Sequence, residues 1–233
     1  MTDSNTVDLE SNKILVVDDD AFMRKTTHAA LSGLGFEHVI LAEDGVQALE
    51  VLENEGADLL LTDIQMPNMN GLELIKIIRT AHSSAPRYLP VVVMTGISDD
   101  DTLSSAIALD VNGLLSKPVK PLSVVDKVVQ AMSESTLALR EIDYYQQVVA
   151  DLSSLKEKNG ATIAADPRAS SDKVSSVSLL KLQPDMRLAQ GVRHVNGSLL
   201  LAANYVLTQR TINRLYELHD NIADEFFLVE DQG

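Results

Sequence analysis

The chain has 233 residues, is 45% hydrophobic, lacks Cys and Trp, and carries a formal net charge of −15. The hydrophobic fraction excludes a wholly disordered chain, and the missing Cys excludes a disulfide framework or thiolate metal site and fits a reducing, cytoplasmic compartment. No apolar run reaches the ~20 residues of a membrane span, and the polar, acidic start MTDSNTVDLESNK has no signal-peptide character.

The charge is unevenly placed. Residues 1–134 hold 9 Lys/Arg against 21 Asp/Glu, whereas residues 135–233 hold 10 against 13. Solubility alone accounts for part of this excess; the sharper reading is a cluster of acids at a cation site.

In chain order, the apolar runs Ile14–Val17, Val39–Leu41, Leu59–Leu61, Val91–Met94 and Gly113–Leu115 alternate with amphipathic segments at 21–33, 44–54, 71–80, 100–109 and 121–132. The runs are apolar at nearly every position, as in strands covered on both faces. Gly33, Gly35 and Gly56 stand where helix C-termini are wanted. Five strand–helix repeats predict an α/β fold, a five-stranded doubly wound parallel sheet over residues 11–133.

In such sheets ligands bind beyond the carboxyl ends of the strands. Those ends carry Asp18-Asp19-Asp20, Asp63, Thr95-Gly96 and Lys117-Pro118. Singly, each is ordinary: an acid after a strand is often a helix N-cap, and Asp20 is expected to be one. Together they bring carboxylates, a hydroxyl and an ammonium to one sheet edge. Adjacent carboxylates repel unless a hard cation such as Mg²⁺ relieves them. An Asp held there is placed to attack phosphorus, with cation and ammonium neutralising the transferring group.

The motifs Ile14–Asp19, Asp63 with Met66-Pro67-Asn68-Met69-Asn70-Gly71, Val93-Met94-Thr95 and Lys117-Pro118 resemble the flavodoxin/CheY-like receiver domain of two-component response regulators. The resemblance implies that Asp63 accepts phosphate from a histidine kinase or phosphotransfer protein, with Thr95 and Lys117 completing the catalytic set. It also implies that Asp19, Asp63 and the Gln65 carbonyl ligate Mg²⁺, with Asp18 acting through water. The Lys117–Pro118 bond would be cis. On phosphorylation Thr95 would move toward the phosphoryl group and reshape the face made by the fourth helix, fifth strand and fifth helix. One departure concerns this switch: where the family usually has an aromatic, three residues before the lysine, this chain has Leu114, which buries less area and has no hydroxyl.

Between Pro121 and Gly160 there is no Gly or Pro. A long continuous helix is therefore expected, about 55 Å at ~1.5 Å per residue. Val124, Val128, Ala131, Ser135, Ala138, Ile142, Tyr145, Val149 and Leu152 recur at four- and three-residue steps, a heptad seam that predicts a parallel homodimer through residues 122–158. Its early members also serve as the fifth helix of the first domain, and residues 134–158 are expected as a helical linker. A helix packing back on its own chain is the alternative. Residues 159–177 read as a flexible linker.

From Ser178 a small, β-rich α+β domain is expected. Met186–Val195 and Ser198–Ala203 flank the hairpin signal Asn196-Gly197, a helix follows Thr208 as N-cap with Ile212, Leu215 and Leu218 on one face, and Glu225–Val229 closes as a strand. A domain of about 55 residues has little room for a core and should lean on a partner or its twin. Leu182, Pro184, Met186, Leu188, Ala189, Gly197–Leu201, Leu207-Thr208 and Leu215 resemble the segment that precedes HD-GYP phosphodiesterase domains. His219-Asp220, a single dyad, reads as a solvated helix end.

The expected output is protein–protein contact rather than catalysis on a substrate. Two other outputs stand beside it: a tail that binds a cyclic nucleotide or a separate phosphodiesterase, and a transcription factor with a diverged DNA-binding tail. The tail's 5 Lys/Arg against 7 Asp/Glu weigh against a nucleic-acid face.

Overall fold

The computed structural model describes residues 8–96, 100–133, 139–153, 174–193, 195, 199–201, 203–219, 222–223 and 226–230. The chain packs as two compact units, Met1–Ile97 with Val111–Tyr145 and Ser98–Asp110 with Gln146–Gly233.

The first unit holds β1 (Lys13–Val17), α1 (Ala21–Ser32), β2 (His38–Ala42), α2 (Gly45–Asn54), β3 (Leu59–Asp63), α3 (Gly71–Arg79), β4 (Val91–Thr95), β5 (Gly113–Ser116) and α5 (Pro121–Ser133). Every expected strand is present, and all pair in parallel in the order β2-β1-β3-β4-β5. Consecutive residues of β1 and β3 are buried because alternate side chains enter opposite layers. Ile14, Val16, Leu59, Leu61, Val92 and Met94 form one layer with Leu31 of α1 and Val124, Val128 and Ala131 of α5.

The helix starts are chemically specified. The Asp20 carboxylate accepts from the Phe22 and Met23 amides as the expected N-cap of α1. Asp44 caps α2, and Asn70 with Glu73 makes a reciprocal capping box on α3.

The single long helix expected after Pro121 is not formed. The last described residue of α5 is Ser133, residues 139–141 are not helical, and α6 (Ile142–Gln147) is one short piece. Local chemistry explains this. The Ser133 hydroxyl bonds back to the Val129 carbonyl at 2.6 Å, a contact that can bend the last turn described. The Tyr145 ring is fully buried, its hydroxyl accepts from the Arg140 amide, and Arg87 reaches both that ring and the Arg140 carbonyl. Val124, Val128, Ala131 and Tyr145, four members of the heptad series, are thus spent inside the chain. Ser135 and Ala138 lie outside the described residues.

The second unit contains α4 (Asp100–Ala108), β6 (Val174–Ser178), a 3-10 turn (Leu179–Lys181), β7 (Val192–Arg193), β8 (Leu199–Leu201), α7 (Gln209–Glu217) and β9 (Phe226–Glu230). β6 pairs antiparallel with β9, and β7 with β8. Of the expected linker, residues 174–177 are strand β6 and the remainder lies outside the described residues, as does the Asn196-Gly197 turn. Thr208 caps α7 as expected, and Ile212 and Leu215 are buried, while Leu218 is the half-buried C-cap. His219 is exposed, its ring beside the Tyr216 carbonyl at 3.0 Å, and Asp220 lies outside the described residues. The expected shortage of core is met within the chain: α4 packs on β8 and α7.

Candidate phosphoacceptor site

Topology makes the site. From β1 the chain moves outward to β2, then crosses back to β3 on the other side of β1, so the carboxyl ends of β1 and β3 flank the point where strand order reverses. Asp18 and Asp19 follow β1 directly, and Asp63 is the last residue of β3. Their carboxylate oxygens lie within 4.8 Å of one another. Asp18 and Asp63 are buried, and Asp19 is exposed at the rim.

Lys117 follows β5. Its Nζ donates to Asp18 Oδ2 at 2.8 Å and to Asp63 Oδ2 at 2.7 Å. The other oxygens are also engaged: Asp63 Oδ1 accepts from the Ile64 amide at 2.6 Å, and Asp18 Oδ1 from the Asp20 amide at 3.0 Å. Burial pushes the Asp63 carboxyl above its ordinary range, with Lys117 opposing and Asp18 adding to the shift. Burial also works against the Lys117 ammonium, but its hydrogen bonds to Asp18 and Asp63 outweigh that and hold it above the usual lysine range.

Thr95 ends β4, half-buried and paired with Ser116 of β5, and its carbonyl accepts from the Lys117 amide at 2.7 Å. The hydroxyl-bearing and ammonium-bearing residues are therefore fixed side by side. The Lys117–Pro118 bond is cis, as expected. Leu114 is half-buried on β5 opposite Val93. Gln65 is exposed in the loop two residues beyond Asp63.

That loop is held by residues to which sequence reading gave no role of their own. The Asn68 side chain donates to Asp44 Oδ2 at 2.6 Å from a backbone at φ 60, a conformation Asn tolerates better than most. The Gly45 amide donates to the Met69 carbonyl, and the Gly71 amide to the Ile64 carbonyl. A Cβ on Gly71 would sit 2.1 Å from the Asp63 carbonyl oxygen, so only glycine fits behind Asp63. On the other flank, Arg24 reaches the Asp18 carbonyl at 2.5 Å and Glu43 at 2.9 Å. Asn and Gly in a Pro-Asn-Met-Asn-Gly string were the one available signal; Arg24 had none.

The sequence profile of the response regulator receiver domain matches residues 14–129. The chemotaxis protein CheY1 of Helicobacter pylori (strain ATCC 700392 / 26695) is 38% identical over 117 residues, which are 50% of this chain and 93% of that protein. The CheY homolog of Campylobacter jejuni (serotype O:23/36, strain 81-176) is 36% identical over 117 residues, 50% of this chain and 88% of that one. Among solved structures, the chemotaxis response regulator CheY4 of Vibrio cholerae is 26% identical with a TM-score of 0.47, covering 52% of this chain and 99% of its own. The profile match ends before the tail, and the likeness of residues 182–215 to the segment preceding HD-GYP domains gains no support from it.

Proposed function

Because the chain belongs, through residues 14–129, to the response regulator receiver domain family, we propose that it is phosphorylated on Asp63 by a histidine kinase or phosphotransfer protein and signals through protein–protein contact. The observation that carries this reading is the ion triad of Asp18, Lys117 and Asp63 at the strand-order reversal. An Asp63 oxygen attacks phosphorus, a P–O bond forms, and the P–N bond to the donor imidazole breaks. Burial makes the carboxylate more basic and so a better nucleophile, while the ammonium keeps it ionised. Lys117 then takes a phosphoryl oxygen, and the Thr95 hydroxyl, one strand away, takes another. Leu114 is the residue whose repacking would accompany Thr95.

The residues fit a hard divalent cation, since three carboxylates converge with a single ammonium placed between two of them. Asp19, Asp63 and the Gln65 carbonyl would hold Mg²⁺, with Asp18 acting through water. The cation would neutralise charge on the transferring group. Among the described residues no helix is long and apolar enough to cross a membrane, and the likeness to chemotaxis CheY proteins supports a cytoplasmic setting. The acidic balance of the tail supports a protein partner over nucleic acid.

Phosphate-affinity gels after treatment with acetyl phosphate test the reading. Wild type should give one shifted band and Asp63→Ala none; a band of full intensity in the mutant would refute the assignment.

A further inference from the structure

Three acids follow β1, and each is held differently. Asp20 caps α1. Asp18 is engaged at every polar atom: its amide donates to the Ala42 carbonyl at 3.3 Å, its carboxylate accepts from the Asp20 amide and the Lys117 ammonium, and its carbonyl accepts from Arg24. Asp19 is the exception. Among the described residues no hydrogen bond or ion pair holds its carboxylate, so where it points depends on the peptide that carries it. That peptide, Asp18–Asp19, is the one whose oxygen Arg24 Nη1 holds at 2.5 Å.

The same guanidinium reaches further. Its Nη2 pairs with Glu43 at 2.9 Å, and the Arg24 side chain is largely buried. A planar fork that binds two acceptors through separate nitrogens fixes their separation, which an ammonium on a flexible stem does not. Glu43 is itself anchored: its amide donates to Gln47 Oε1 at 3.1 Å, and the Gln47 amide donates to Asp44 Oδ1 at 2.9 Å. Glu43-Asp44 is thereby stapled to the first turn of α2. From Asp44 a second arm leaves, since Oδ2 accepts the Asn68 side chain at 2.6 Å beside the Gly45–Met69 main-chain bond of 3.1 Å. Neither Glu43 nor Asp44 belongs to the converging carboxylates, yet between them they are tied to both loops that carry those groups.

We propose that Glu43-Asp44 is a brace for the cation site, with Arg24 and Asn68 as positioning residues at its two ends. Arg24 aims the Asp18-Asp19 loop, Asn68 aims the loop from Asp63 through Gln65 to Asn70, and the brace sets the spacing between them. The inference rests on the phosphoacceptor reading above. Mg²⁺ demands near-octahedral oxygens at about 2.0–2.1 Å, so the spacing of two ligand-bearing loops decides affinity. Charge and position predict opposite signs at Arg24. By charge alone a guanidinium at the Asp18 carbonyl repels an arriving cation, and its removal tightens binding. By position, its removal frees the Asp18–Asp19 peptide and weakens binding.

Mg²⁺ titration calorimetry on the full chain tests this, with thermal melts and phosphate-affinity gels run on the same samples. Arg24→Gln should weaken Mg²⁺ binding by about 10–100-fold, the usual effect of removing a contact that orients a metal ligand. Arg24→Lys keeps the charge without the fork and should recover little of that loss. Asn68→Gly accepts φ 60 without strain and loses only the side-chain bond, so it stands in if the Arg24 variants do not fold, and it should weaken binding in the same range. Joining Arg24→Gln with Asn68→Gly should lose less than the product of the two single losses, because cutting one arm already releases the brace. Unchanged or tighter binding in Arg24→Gln or in Asn68→Gly, full recovery in Arg24→Lys, or a double variant that multiplies in full overturns the brace, and a shifted wild-type gel band then keeps the acceptor reading. If the wild type gives no band, the acceptor reading falls and this inference with it.

Discussion

Gly71 is where backbone geometry and phosphoryl transfer meet most directly. A methyl group there would lie 2.1 Å from the Asp63 carbonyl oxygen, 3.0 Å from the Asp63 carbonyl carbon and 3.1 Å from Ile64 Cα. All three are main-chain atoms, so no side chain can swing aside. Relief requires the end of β3 to separate from the start of α3 by roughly 1 Å, breaking the Gly71–Ile64 hydrogen bond of 3.0 Å on the way. Overpacking of this kind costs about 1–3 kcal/mol. A displacement of ~1 Å at a reacting group can cost on the order of 100-fold in rate. Gly71→Ala should therefore lower the melting temperature by several degrees and slow phosphorylation by acetyl phosphate by one to two orders of magnitude. Gly56→Ala is the control. Gly56 sits at φ +70 with nothing within 4 Å of the place a Cβ would take, so alanine there incurs only backbone strain, about 1 kcal/mol, and the phosphorylation rate should hold. If Gly71→Ala is phosphorylated at the wild-type rate, the loop does not position the acceptor and the steric reasoning fails.

Asp19→Ala should weaken Mg²⁺ binding more than tenfold, a loss above ~1.4 kcal/mol, by titration calorimetry; unchanged affinity would place the ligand elsewhere, Asp20 first. The Asn68 side chain, followed by the Gln47 amide, holds the Asp44 carboxyl below its ordinary 3.8. Its folded value is thus depressed, so its stabilising contribution is complete above pH 3.8 and fades as the pH falls through the folded value. Asn68→Gly should flatten that acid-side slope of melting temperature against pH, and an identical slope would remove the contact from the account. With Tyr145 and the early heptad positions buried in the chain, light scattering at micromolar concentration should return the 25.3 kDa of one chain, and a stable mass of twice that would restore the coiled-coil seam.

The receiver fold and its acidic edge were legible because both are written in local patterns. Strands buried on both faces are unbroken Val, Leu and Ile, and parallel crossovers leave strand ends on one edge. Asp18, Asp19, Asp63 and Lys117 could therefore be picked out by position alone, and the structure brings Lys117 within 2.7 Å of Asp63. Features set by distant partners were not legible. No Gly or Pro breaks the stretch after Pro121, yet residues 139–141 are not helical, and the Tyr145 side chain just beyond them packs under Arg87, far away in sequence. Likewise α4 reads as an ordinary crossover, and its allegiance to β8 and α7 depends on residues a hundred positions later.

Lys117 shows what kind of change the site is built for. Its ammonium already sits between two carboxylates, largely stripped of water, so an arriving phosphoryl group does not have to draw a hydrated cation into the protein. Under the proposed function, the event at this lysine would be an exchange of anions, one oxygen for another within reach of the same three protons. A point charge on a flexible stem can make that swap by turning, whereas a planar guanidinium would have to abandon one fork-shaped pairing before making the next. On the proposed reading, the cleft would behave as a small ion exchanger, loaded with its own counter-ions and giving up one of them for each phosphoryl group it accepts.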